Sequence, residues 1–337
     1  MDTVSVIIPA YNARATIAAC VESVLAGDVK PLEVIVVDDY STDDTAAIVG
    51  ALAVRYPNVV KLIHLPRNAG PARARNVGAA SAEGAYYFFV DSDTEMLADT
   101  LSNFLRRIPE ADAVSGIYHP EPINDCAAAR YKAYLIAYLF GRAGVFPYDV
   151  FIASSAGIRP DVFKAVGGFN EQMPWGMDVE NEDFGHRIAA RYRLLMDPSI
   201  TVRHHFPRFG KFTRTYFSRV SLWMELFLQR RQFERSGATT MGTGLSTAAA
   251  AAATIMLPLV WLHSAFAVIS GALFAWHVAG YAGYFGYVAK RRPSFLLSAF
   301  LLNFWFSLVL AAGAAYGVLR MVTGTGRVPV RMREPKG

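Results

Sequence analysis

Val4-Ser5-Val6-Ile7-Ile8-Pro9-Ala10-Tyr11-Asn12 opens the chain, and Leu32-Glu33-Val34-Ile35-Val36-Val37-Asp38-Asp39 follows it. Each is a short apolar run that ends in polar residues, as strands buried on both faces of a sheet do. Between them Ile17, Cys20, Val21, Val24 and Leu25 recur at helical spacing. After Asp39, Ser41 or Thr42 is placed to cap a helix reaching about Val54. Val59 to His64 then reads as a strand, Asn76 to Ser81 as a short helix, and Tyr86 to Val90 as a further strand. Strands alternating with helices predict an α/β domain with a parallel central sheet.

The Tyr86–Val90 run leads directly into Asp91-Ser92-Asp93. Open α/β sheets bind ligands beyond the carboxyl ends of their strands. Two carboxylates one residue apart there can share a hard divalent cation, which in turn can bridge to a substrate's phosphates. The plain alternative is a solvated Asp-x-Asp turn.

Further stretches join these in a fixed order. They are Asp38-Asp39-Tyr40-Ser41-Thr42-Asp43-Asp44-Thr45, Asn68-Ala69-Gly70-Pro71-Ala72-Arg73-Ala74-Arg75-Asn76, Gly167-Gly168-Phe169-Asn170-Glu171 and Asn181-Glu182-Asp183-Phe184. Together with the opening strand and Asp91-Ser92-Asp93, they make residues 3–206 resemble family 2 glycosyltransferases of the GT-A fold. The resemblance implies an inverting enzyme that takes a sugar from a nucleotide-activated donor, UDP- or GDP-linked. It implies Asp93 and Asp91 as ligands of Mg2+ or Mn2+, with His204 near the diphosphate. Such a cation offsets the charge that develops on a departing nucleoside diphosphate. Asp39 is implied at the nucleotide base, beside Asp38 and the loop Pro9-Ala10-Tyr11. Arg73 and Arg75 offer charge-assisted donors to base or phosphates. Asp183 is implied as the base on the acceptor side, with Glu182 orienting its loop, and Gly168 and Trp175 shaping the sugar and acceptor side.

Several of these residues have a simpler reading. Asp39 could cap a helix with Ser41, the arginines could lie solvated on a helix face, and His204 could be a surface histidine. Asp183 is placed as a helix start, where the helix dipole alone favours it. Its crowding with Asp178, Glu180 and Glu182 would raise carboxylate pKa values toward useful basicity.

The last third changes character. Phe212, Tyr216, Val220, Trp223 and Phe227 make an apolar stripe opposite Arg214, Ser218, Ser221, Glu225 and Gln229. This predicts an amphipathic helix at a membrane interface over about 211–240. Thr247 to Ala289 carries no acidic or basic residue besides His263 and His277, and Ser294 to Tyr316 carries none. A spanning helix needs about 20 apolar residues, so 247–320 is expected to hold two or three spans. Three is preferred, although that sets the basic tail 321–337 against the positive-inside rule. Gly271, Gly280, Gly283, Gly286 and Gly313 are placed for close helix packing.

Composition agrees: 337 residues, 53% hydrophobic, net charge +5, with a mean hydropathy of +0.25. The positive charge suits anionic lipid and diphosphate partners, and no nucleic-acid motif occurs. Cys20 and Cys126 fit no metal or disulfide pattern. The immediate start of a strand argues against a signal peptide, which places the catalytic domain, 1–210, on the cytoplasmic face of the inner or plasma membrane. Gln229-Arg230-Arg231-Gln232-Phe233 does not match the Gln-x-x-Arg-Trp string of processive polysaccharide synthases. The expected reaction is therefore a single transfer to a lipid or polyprenyl-phosphate acceptor. The alternatives are a non-catalytic, membrane-anchored nucleotide-sugar-binding or assembly module, and a polysaccharide synthase.

Overall fold

The computed structural model describes residues 2–173, 179–230 and 240–326. The chain forms two compact units: 1–125 with 140–206, and 126–139 with 207–337.

In the first unit β1 (Val4–Ala10), α1 (Ile17–Ala26), β2 (Glu33–Asp38), α2 (Thr45–Arg55), β3 (Val60–His64), α3 (Pro71–Ala80) and β4 (Tyr86–Phe89) alternate as expected. β5 (Thr94–Met96), α4 (Thr100–Arg107) and β6 (Ala113–Tyr118) follow. Helix α5 (Ala127–Gly141) belongs to the second unit through Leu139. Then come β7 (Phe146–Pro147), β8 (Ala156–Ile158), α6 (Pro160–Ala165), α7 (Val179–Ala189) and β9 (Leu194–His204). The sheet order is β3-β2-β1-β4-β8-β6-β9-β5, with β7 on β9. Its first four strands are mutually parallel, whereas β8 is antiparallel to both neighbours. The chain winds outward from β1 to β3 and then returns to place β4 on the other side of β1. That reversal opens a crevice at the carboxyl ends of β1 and β4, where such sheets bind ligands. Ile8, Val34, Val36 and Phe88 are fully buried on one face and Ile7, Phe89 and Phe184 on the other, consistent with strands covered on both sides.

Three boundaries differ from the sequence reading. Helix α3 begins at Pro71 rather than Asn76, because Gly70 takes φ +87° and Pro71 is pre-set for the first helical position. Helix α2 begins at Thr45, and no side chain caps it. Ser41 and Thr42 instead bond the neighbouring loop: Asn12 N–H donates to Ser41 Oγ, and Thr42 N–H donates to Asn12 Oδ1, both at 2.9 Å. Helix α7 already includes Val179, so Asp183 lies at least one turn inside it rather than at its start.

The second unit holds α8 (Phe209–Arg230), α9 (Met241–Met256), α10 (Ala265–Gly280), α11 (Ala282–Arg291) and α12 (Leu296–Val322). Tyr131, Tyr284, Phe295 and Phe306 lead its core. Met241–Trp261 and Pro293–Val322 are long and apolar enough to cross a membrane. Helices α10 and α11 pass that test only together, with a 54° bend between them. Gly280, Gly283 and Gly313 sit against close neighbours, while Gly271 and Gly286 face open space. The polar face expected on α8 is in part a packed one. Ser221 and Glu225 are buried, and Arg320 of α12 pairs with Glu225 at 3.2 Å. Helix–helix contact has overridden the amphipathic pattern there. Residues 327–337, most of the basic tail, lie outside the described residues.

Candidate active site

The end of β4 places Asp91 and Asp93, and the end of β9 places His204. The antiparallel register of β5 on β9 sets Thr94 opposite His204, which brings the two strand ends together. Ligand atoms of Asp91, Asp93 and His204 all lie within 4.8 Å of one another. Among the described residues they form the only such group of three or more. His204 Nε2 faces Asp93 Oδ1 at 3.5 Å. The imidazole stacks on Phe206 at 4.5 Å and meets the Tyr118 ring edge-on at 4.8 Å. Its Nδ1 is buried without a hydrogen-bond partner in the structure. Two carboxylates and an imidazole whose Nε2 faces one of them are a donor set that fits a divalent ion tolerating both O and N ligands, such as Mn2+. Withdrawal from bulk water raises the Asp93 carboxyl above its ordinary value; His204 opposes this and Asp91 adds to it. A bound cation would reverse that direction.

The backbone around the pair is fixed. Asp91 C=O accepts from Thr94 N–H and Oγ1 at 3.1 and 2.8 Å. His205 N–H donates to Asp93 C=O at 2.8 Å.

Arg75 is not a solvated arginine. Only 3% of its side chain is exposed; Nη2 donates to Asp91 Oδ1 at 2.8 Å and Nη1 to Glu180 Oε1 at 3.3 Å. The guanidinium also lies over the Phe169 ring. It ties Asp91 to α7, the helix that carries Glu182 and Asp183. Arg73 is half-exposed and pairs with Glu171 at 3.3 Å.

Asp183 is buried, and its Oδ2 accepts from Arg187 Nε at 2.9 Å, one turn along α7. Arg187 Nη1 also donates to Val166 C=O at 2.6 Å. The crowd of acids anticipated around Asp183 is thus met by cations: Arg187 on Asp183 and Arg75 on Glu180. Glu182 is buried beside them. Trp175 and Asp178 lie outside the described residues.

Asp39 is 4% exposed and accepts from the amides of Ala69 and Gly70 at 2.7 and 2.8 Å. Burial raises its pKa against those two bonds, and Asp38 adds to the rise. Both oxygens hold the loop into α3, where the resemblance implied a nucleotide base. Asp38 is buried with His64 Nδ1 at 3.3 Å. Pro9 and Ala10 lie within β1, and Tyr11 is half-exposed beyond it.

Two further residues escaped the sequence reading. Tyr40 is exposed at φ +64° in the loop after β2. Asn76 clamps both backbone groups of Phe169, with Nδ2 donating to its carbonyl and Oδ1 accepting from its amide, each at 2.9 Å. That clamp fixes the Gly167-Gly168 turn. Both glycines have positive φ, and a Cβ on Gly168 would lie 2.7 Å from Asn76 Oδ1. The available signal was an asparagine inside a helix, a position its propensity disfavours.

Residues 5–167 match the family described as Glycosyl transferase family 2. Glycosyltransferase GlyG of Streptococcus pneumoniae is 33% identical over 35% of this chain and 40% of its own length. The UDP-Glc:alpha-D-GlcNAc-diphosphoundecaprenol beta-1,3-glucosyltransferase WfaP of Escherichia coli is 40% identical over 31% of this chain and 40% of its own. The chain thus spans less than half of these relatives. The mannosyltransferase PcManGT of Pyrobaculum calidifontis, solved with GDP-Man and Mn2+, is similar in structure with a TM-score of 0.59. It is 19% identical, over 95% of this chain and 86% of that one. S. aureus TarS 1-349 in complex with UDP-GlcNAc gives 0.51 at 18% identity over 99% of each chain. The fold is GT-A, followed by C-terminal helices of which two are long and apolar.

Proposed function

We propose that this protein is an inverting, metal-assisted glycosyltransferase that moves a sugar from a nucleotide-sugar donor onto a lipid-linked acceptor at a membrane surface. The observation that carries this reading is the joining, through buried Arg75, of the Asp91-Asp93-His204 cluster to the acidic helix α7. Asp91, Asp93 and His204 would hold the cation, which when bound supplies Lewis acidity to the leaving diphosphate. Asp183 takes the proton of the attacking hydroxyl, and Arg187 keeps its carboxylate aimed. Glu182 supports that wall. Tyr11, Tyr40 and Asp38 border the nucleoside side. Asp39 acts there through the loop it holds, and Arg75 acts by positioning Asp91.

WfaP is named for transfer to GlcNAc on diphosphoundecaprenol. A β-1,3 bond is made to a sugar hydroxyl, which needs a base, whereas a phosphate acceptor is already an anion. The buried carboxylate Asp183 therefore favours a sugar-bearing lipid over a bare polyprenyl phosphate. The long apolar helices support membrane anchoring, and a nucleotide-sugar donor supports a cytoplasmic site.

The test uses full-length protein in lipid nanodiscs with Mn2+, UDP- and GDP-sugars, and a polyprenyl-diphosphate-linked sugar. Sugar transfer is expected, and Asp183→Asn should lower turnover about 10²-fold while leaving nucleoside diphosphate affinity unchanged. Nucleotide binding without turnover on any donor would favour a binding module instead.

A further inference from the structure

Helices α8 and α12 pack side by side in the second unit. A Cβ on Gly313 would lie 2.6 Å from Phe217 O, and one on Gly317 would lie 2.3 Å from Ser221 O. Only glycine lets the two backbones touch there. Toward the start of α8 the contact is different. Trp305 Nε1 donates to Thr213 Oγ1 at 3.1 Å, and the Trp305 ring meets that of Phe209 at 5.8 Å. Between this bridge and the glycine contact the helices leave a shallow, open groove of about 520 Å3.

Its walls differ in chemistry. Phe217, Leu308, Val309 and Ala312 make it apolar along its length. Arg214 stands on its lining, exposed and with no acidic partner among the described residues. From Pro207 to Met224 the chain has no acidic residue, yet it carries Arg208, Lys211, Arg214 and Arg219. An apolar trough with an exposed arginine on its lining complements one ligand shape, a long hydrocarbon chain ending in an anion. A free nucleotide would leave the trough unfilled, and an apolar peptide would leave the arginine uncompensated. Helix α12 is long and apolar enough to cross a membrane, where such a chain resides.

We propose that this groove holds the hydrocarbon chain of the acceptor lipid, with Arg214 on its phosphate. The assignment rests on the lipid-acceptor reading above. Trp305 closes one end, and the glycine contact sets the other.

The test uses full-length protein in phosphatidylcholine nanodiscs and a farnesyl phosphate bearing a benzophenone. Photolabelling should fall within 210–217 and 305–312. Ala312→Phe, which fills the trough, and Arg214→Gln should each weaken probe binding about tenfold. Both should raise the KM for a polyprenyl-linked acceptor more than they lower kcat, and Arg214→Lys should recover part of the loss. Val309→Phe, on the same wall, replaces Ala312→Phe if that variant fails to fold. Labelling elsewhere, or unchanged affinity in the variants of a chain that transfers to lipid, overturns the groove alone. Displacement of the probe by equal phosphatidylglycerol would assign the groove to ordinary membrane lipid and overturn it too. Transfer confined to water-soluble sugars overturns the lipid-acceptor reading, and this assignment with it.

Discussion

Each unit buries an arginine against a carboxylate, and the two pairs do different work. Arg75, in the first unit, is shared between Asp91 and Glu180, on two elements that border the cleft. Arg320, in the second, pairs with Glu225 across two helices and donates to Thr325 C=O at 3.1 Å. Burying charges costs several kcal/mol per ion unless geometry and further bonds offset it. In the first unit that cost sets the position of groups that would meet substrate. In the second it sets the register of α8 on α12, beside the glycine contacts that bring them close. The same chemistry is thus a positioning device in one place and a packing device in the other.

The sharpest way to break this contrast is at the cluster Arg75 supports. Asp93→Asn should lower turnover about 10²–10³-fold with Mn2+ present, while thermal unfolding stays close to wild type. Turnover near wild type in the presence of a chelator would remove the metal from the account.

Next come the arginines themselves. Removing one partner of a buried pair costs about 3–5 kcal/mol, so Arg75→Met and Arg320→Met should both lower the unfolding temperature. Only Arg75→Met should also weaken Mn2+ and nucleotide binding, measured by calorimetric titration. If Arg320→Met weakened nucleotide binding equally, the proposed division of labour would be wrong.

The smallest effect is expected at Arg73, whose pair with Glu171 is half-exposed. Exposed pairs contribute about 0–1 kcal/mol, so Arg73→Ala should change stability by less than that and leave nucleotide affinity unchanged. A tenfold rise in nucleotide Kd would return Arg73 to the donor site.

The alternation of strands and helices was legible because buried parallel strands need unbroken apolar runs, as Val34–Val37 and Tyr87–Phe89 show. The ends of those runs located Asp38, Asp39, Asp91 and Asp93, since a change from apolar to polar residues marks where a buried strand ends. Sheet order was not legible. Nothing local in Tyr86–Val90 says that it pairs with β1 rather than β3, yet that pairing makes the crevice.

Partner choice was equally hidden. Arg73 and Arg75 sit two residues apart on one helix and look alike in sequence. A helical turn of about 100° per residue aims one at solvent and the other at Asp91 and Glu180, which the chain supplies from far away. Ser221 and Glu225 read as a polar face because their partners Gly317 and Arg320 come from the far end of the chain. Residue type and periodicity are written locally and so determined the elements and the reactive groups. Which groups meet depended on long-range packing, and only the tertiary structure decided it.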